Sequence, residues 1–137
     1  MTIREVFVDA TAWVALADIR EARHADAVRI YSELLRQRSR LVTSELMVAE
    51  AQIMIRRRVH HQAAMTFVEQ VNESPQIELA FLDAALEAET KAILRQYDDQ
   101  DFSFADAAAF ALMRQRGLTH AFAFDGHFVT AGFILLT

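Results

Sequence analysis

Two aspartates stand at the ends of short apolar runs. Asp9 follows Val6-Phe7-Val8, and Asp125 follows Ala121-Phe122-Ala123-Phe124. Apolar runs of that length read as buried strands. In open α/β sheets ligands bind beyond the carboxyl ends of strands, so a carboxylate there can reach one. An Asp in either place also suits a turn or the cap of the next helix. Two further acids lie in helical patterns. Glu50 is spaced from Leu46, Met47, Ile53 and Met54 as helical neighbours on one face are, which sets it on an apolar face. Asp106 stands likewise with Phe102, Ala109, Phe110 and Met113. A carboxylate turned toward a core is costly unless it is paired or holds a metal. For Glu50, an arginine partner or a place at the edge of the face would also answer. For Asp106, Ser103 three residues earlier offers a capping box, and a helix N-terminus favours negative charge. Capping does not explain why the acid is on the apolar side.

Jointly, two strand-end acids and two acids on inward helix faces can converge on one pocket. Four carboxylates repel and raise one another's pKa. A hard divalent cation removes that conflict, and Mg²⁺ prefers oxygen ligands, keeps waters and commonly pairs with substrate phosphates. Zinc has no comparable case. There is no cysteine, and the five histidines show no ligand spacing such as His-x-x-x-His.

The elements that must position these acids alternate between strand-like and helix-like periodicity. Strands are expected at Val6–Val8, Leu41–Thr43, Ile77–Phe81, Ala121–Phe124 and Phe133–Leu136. Helices are expected from Thr11, over His24–Arg38, from the Ser44 cap to Arg58, and over His61–Val71. Two more follow, Asp83–Tyr97 and Ser103–Arg116, the last stopped by Gly117. Asn72-Glu73-Ser74-Pro75 is the clearest turn. Strands separated by helices predict a mostly parallel sheet of four to five strands, flanked by helices.

A length of 137 residues fits a single domain, residues 1–137, with one core that needs no staples. The absence of cysteine excludes a disulfide scaffold and a thiol nucleophile. Three glycines and one proline argue against an all-β fold. No apolar stretch approaches the about 18–20 residues of a membrane helix, and the start lacks a signal-peptide layout. The expectation is a soluble, cytoplasmic protein without membrane contact. The net charge of −5 is unusual for a nucleic-acid binder, but without the four carboxylates the remainder is close to neutral. Of the 14 basic residues only Lys91 is lysine, and arginine's planar fork suits phosphate. Arg56-Arg57-Arg58 is a candidate phosphate-binding patch, or else an ordinary solvated helix end favoured by the dipole. Trp13 and the 10 phenylalanines read as core. His127, near Asp125, is a candidate substrate contact or else, by preference, a surface loop residue.

With these residues in view, the chain resembles the PIN-domain ribonucleases, most closely the toxin subunit of VapBC-type toxin–antitoxin pairs. The resemblance covers nearly the whole sequence. Val6-Phe7-Val8-Asp9-Ala10-Thr11 is similar to the opening strand with its acid and following hydroxyl. Thr43-Ser44-Glu45-Leu46-Met47-Val48-Ala49-Glu50 is similar to the second motif, whose acid maps to Glu50 and not to Glu45. Ser103-Phe104-Ala105-Asp106-Ala107 and Phe124-Asp125-Gly126-His127-Phe128 are similar to the third and last. One departure stands out: the family commonly carries Thr or Ser where this chain has Ala123, so a hydroxyl that helps to order water is missing.

The resemblance implies a PIN-like α/β fold and Mg²⁺- or Mn²⁺-dependent cleavage of RNA to 5′-phosphate and 3′-hydroxyl ends. It also implies homodimerisation and inhibition by a small antitoxin. Asp9, Glu50, Asp106 and Asp125 are the implied metal-binding and catalytic residues, with Asp9 and Asp106 as the foremost direct ligands. Thr11 and Arg56, Arg57 and Arg58 are candidate substrate contacts. No side chain need act as nucleophile, because a metal can activate water and neutralise the phosphodiester. A haloacid-dehalogenase-type phosphatase would need a second Asp where Thr11 stands. A non-catalytic PIN module that holds RNA or protein, and a stand-alone housekeeping nuclease, are the remaining alternatives.

Overall fold

Strand β1 (Glu5–Val8) is buried on both faces from Val6 onward, which explains its unbroken apolar run. The computed structural model describes residues 2–137. After β1 come helices α1 (Ala10–Ala17) and α2 (His24–Arg36), then β2 (Arg40–Ser44). Helices α3 (Glu45–Arg58) and α4 (His61–Glu73) lead to β3 (Ile77–Ala80). Helices α5 (Ala84–Gln96) and α6 (Phe104–Arg116) lead to β4 (His120–Phe122), short α7 (His127–Thr130) and β5 (Ile134–Leu135).

The five strands form one sheet in the order β3-β2-β1-β4-β5, and every pairing is parallel. The mostly parallel sheet expected from the alternating pattern is therefore present. The chain builds outward from β1 to β2 and β3, then crosses over to place β4 on the other side of β1. The sheet order thus reverses between β1 and β4. Such a switch point opens a crevice outside the carboxyl ends of the two strands. The register aligns Val8 with Phe122, and the Asp9 N–H continues the ladder to the Phe122 carbonyl at 3.0 Å.

Boundaries differ from the sequence expectation where caps and tertiary pairing intervene. α1 begins at Ala10, capped by Asp9, and β4 ends at Phe122, leaving Ala123 and Phe124 outside the ladder. α7 has too few residues to show a period.

α6 is buried continuously from Asp106 to Met113, so it runs through the core as a helix apolar on all sides. Phe110 anchors it there, its ring meeting Phe128 edge-on at 5.1 Å. Trp13 is core, as expected, and ties α1 to the sheet. Its Nε1 donates to the Thr43 hydroxyl at 3.2 Å, which donates to the Val8 carbonyl at 2.8 Å. No helix among the described residues is long and apolar enough to cross a membrane.

Candidate metal centre

Each strand-end or capping acid is held by its local backbone. Asp9 caps α1, with Oδ2 accepting from the Thr11 N–H at 3.1 Å and from the Thr11 hydroxyl. That hydroxyl in turn accepts from the Phe124 N–H at 2.9 Å. Thr11 therefore spends its proton on Asp9 and acts as a brace between β1 and β4. Asp106 closes a capping box with Ser103: Oδ2 accepts from the Ser103 N–H at 3.1 Å, and Ser103 Oγ accepts from the Asp106 N–H at 3.0 Å. Asp125 Oδ1 accepts from the His127 N–H at 2.9 Å and so shapes the turn into α7. The capping roles open in the sequence are thus real, and the same residues also converge.

Asp9 is 2% exposed, and burial pushes its pKa up to about 6. The Thr11 hydrogen bonds oppose that rise, and the charges of Asp106 and Asp125 add to it. Partial burial and the same two charges also raise the Glu50 carboxyl, so Asp106 and Asp125 act on both Asp9 and Glu50.

Glu50 departs from expectation in its burial. The buried stripe of α3 is Met47, Ala51 and Ile55, spaced four residues apart. Glu50 precedes Ala51 by one residue, a rotation of about 100° on a 3.6-residue turn. It is therefore exposed at the rim rather than turned into the core, and Ile53 of the same flank is exposed with it. Glu45, the other acid of that motif, joins α3 to the segment after β3, where its Oε1 accepts from the Leu82 N–H at 2.8 Å.

The tightest group of possible metal donors is Asp106, Asp125 and His127, with one donor atom from each all within 4.8 Å of one another. His127 Nδ1 lies 3.1 Å from Asp106 Oδ2 and 3.5 Å from Asp125 Oδ1. Burial opposes charge on this imidazole, but the Asp106 hydrogen bond and the charges of Asp125, Asp106 and Asp101 outweigh it and raise its pKa. Phe102 meets the ring edge-on at 5.2 Å. His127 is thus part of the site and not a free loop residue. The available signal was its place two residues after a strand-end Asp, within reach of an Asp-led turn. Asp99 and Asp101 are exposed in the preceding loop.

The basic candidates are set apart from the acids. Arg56 contacts His61, Arg58 pairs with Glu21 at 3.4 Å, and Arg57 is exposed. At about 1.5 Å rise per residue, Arg58 lies about 12 Å beyond Glu50 along α3. Arg23 pairs with Asp26 at 3.3 Å, and its guanidinium sits 4.6 Å above the Phe124 ring. Phe124 adjoins Asp125. No local pattern marks Arg23, because its contact joins distant parts of the chain. A cavity of about 430 Å³ lies elsewhere, lined by Trp13, Leu16, Tyr31, Phe67, Val71 and Ile77 among others, and includes none of the acids.

Asp9 and Glu50 carboxyls raised by burial and by the charges of Asp106 and Asp125, with no Arg or Lys paired to any of the four among the described residues, suit a hard divalent cation. The oxygen-rich donor set fits such an ion.

Comparison with known proteins bears on the fold and the family. The PIN-domain family model matches residues 6–134. The chain is 33% identical over 129 residues to the 23S rRNA-specific endonuclease VapC20 from two strains of Mycobacterium tuberculosis, covering 94% of this chain and 95% of the relative. The crystal structure of Mycobacterium tuberculosis VapC20, described as a sarcin-ricin loop cleaving toxin, superposes with a TM-score of 0.85. That match covers 94% of this chain and 96% of the other, at 33% identity. With its acids gathered at the β1–β4 switch point and a family match spanning nearly its whole length, the chain belongs to the PIN-domain family.

Proposed function

We propose that this protein is a divalent-cation-dependent endoribonuclease, the toxin of a toxin–antitoxin pair, that acts in the cytoplasm on ribosomal RNA. The observation that carries this reading is the convergence of Asp9, Asp106 and Asp125, with Glu50 at the rim, and with no Arg or Lys among the described residues paired to them. Asp9, Asp106 and Asp125 hold Mg²⁺ or Mn²⁺, and Glu50 acts directly or through ordered water. A cation bound there supplies activation of water and charge neutralisation at the phosphodiester.

The chain's own residues set the geometry. Thr11 fixes the Asp9 carboxylate, and Ser103 fixes Asp106. Ala123, buried behind the site, offers no hydroxyl, so ordering of water falls to the carboxylates. Arg23, over the Phe124 ring beside Asp125 and paired with Asp26, is a candidate to meet an RNA phosphate, with Arg57 and Arg58 on α3 as further candidates. The relative's 23S rRNA specificity points to the same class of target, with 5′-phosphate and 3′-hydroxyl products. A small antitoxin and a second copy are the proposed protein partners. Exposed Phe81 and Phe104 and the apolar cavity beside Trp13 supply surface for them.

The test is cleavage of ribosomal RNA, and of a stem-loop carrying the sarcin-ricin sequence, by wild type and Asp9→Asn. Each is assayed with Mg²⁺, Mn²⁺ or EDTA. Cleavage that needs both the metal and Asp9 supports the proposal. Well-folded wild type that cuts neither substrate in any metal overturns it in favour of a binding module. An adjacent reading frame for a small inhibitor distinguishes a toxin from a housekeeping nuclease.

A further inference from the structure

We propose that His127 is a nitrogen ligand of the cation, completing with Asp106 and Asp125 a face of two carboxylates and one imidazole. This rests on the metal-dependent reading above and extends it to a residue outside the four acids.

The geometry is that of a coordination site. Neighbouring donors on an octahedral ion with bonds near 2.1 Å lie about 3 Å apart. His127 Nδ1 stands 3.1 Å from Asp106 Oδ2 and 3.5 Å from Asp125 Oδ1. With all three donors within 4.8 Å of one another, one ion can replace the proton that joins His127 to Asp106.

The three donors are also held in place by the protein's own contacts. Asp106 is fixed by its capping box, and Asp125 by the His127 N–H. His127 opens α7 directly before Phe128, which is fully buried, and its ring rests against Phe102. The imidazole cannot swing far without disturbing that aromatic packing. Its side chain is 32% exposed, so an ion and its waters have access.

The donor type has a consequence. Carboxylates and water suit Mg²⁺ and Mn²⁺ alike, whereas imidazole favours transition ions. A site with His127 as ligand prefers Mn²⁺ to Mg²⁺. A His127 that only positions Asp106 through a hydrogen bond supports both ions equally.

The experiment uses the full-length, tag-free protein with one equivalent of Mn²⁺ and no RNA. Electron spin-echo modulation reads ¹⁴N coupling to the bound ion, and calorimetry reads affinities for Mn²⁺ and Mg²⁺. Wild type is expected to show nitrogen coupling, which disappears in His127→Gln. That variant should lose about 10-fold in Mn²⁺ affinity and about two-fold or less for Mg²⁺. Mn²⁺ bound to wild type without nitrogen coupling overturns the proposal, and that result does not depend on the variant's folding. So does an equal loss of both ions in His127→Gln. In either case binding that still needs Asp106 leaves the nuclease reading intact. Wild type that binds neither ion overturns both.

Discussion

The hydroxyl of Thr11 accepts a hydrogen bond from the Phe124 backbone N–H at 2.9 Å, across 113 positions of chain. Because the same hydroxyl donates to Asp9, it locks the end of β1 to the end of β4 where the acids leave the sheet. Removing it should cost geometry more than charge. Thr11→Val is expected to lower kcat about 10-fold or more, and Thr11→Ser to restore most of it. RNA affinity should stay within about two-fold, because no phosphate contact is lost. Single-turnover cleavage beside equilibrium binding separates these. Wild-type kcat in Thr11→Val would remove the bracing role.

Asp9 makes metal-free stability depend on pH. Its folded pKa of about 6 lies above the usual Asp value. The fold therefore takes up a proton more readily than the unfolded chain. That advantage is complete below about pH 4 and is lost as pH rises through about 6. By this linkage the metal-free protein should lose on the order of 2–3 kcal/mol between those limits. Asp9→Asn should cancel that part of the loss, melting higher than wild type at pH 7.5 in EDTA while losing cleavage. Melts at pH 5 and 7.5 read it; identical pH responses would place the Asp9 pKa near normal.

Metal should reverse the same penalty. An ion that binds only the folded state at 100 times its dissociation constant adds about 2.7 kcal/mol. Mg²⁺ or Mn²⁺ should raise wild-type Tm at pH 7.5, and EDTA should return it. Asp106→Asn should retain little of that rise. A full rise in the variant would place the ion away from Asp106.

Arg23 should serve RNA binding more than catalysis. Arg23→Ala should weaken RNA binding and reduce the salt dependence by about one counterion. Arg57→Ala, farther from the acids, should do less. Binding measured over several salt concentrations decides this, and an unchanged slope in Arg23→Ala would dismiss the contact.

The Ser103 hydroxyl should matter to stability more than to the site. Ser103→Ala removes the acceptor for the Asp106 N–H at the start of the buried helix α6. The expected cost is about 1 kcal/mol by denaturant unfolding. Metal affinity should hold, since the Ser103 backbone N–H that orients the Asp106 carboxylate survives in alanine. Weaker metal binding in Ser103→Ala would extend the hydroxyl's role to the site.

The residues themselves determined the architecture, because period and turn chemistry act locally. The apolar run Val6-Phe7-Val8, the Ser44 and Ser103 caps and the stop at Gly117 each announce their element. The four acids were legible for the same reason: an Asp after a strand, or an acid in an apolar helical pattern, is anomalous on sequence alone. Tertiary structure decided the rest. It turned Glu50 to the rim, because the packed stripe of α3 is Met47, Ala51 and Ile55. It made Thr11 a brace, by bringing Phe124 to its hydroxyl. It set Arg23 over Phe124, and His127 against Asp106 and Asp125. Spacing along the chain reveals which groups share a helix face or end a strand. Which groups meet across the switch point depends on β4 crossing to pair with β1, and that pairing leaves no trace in local periodicity.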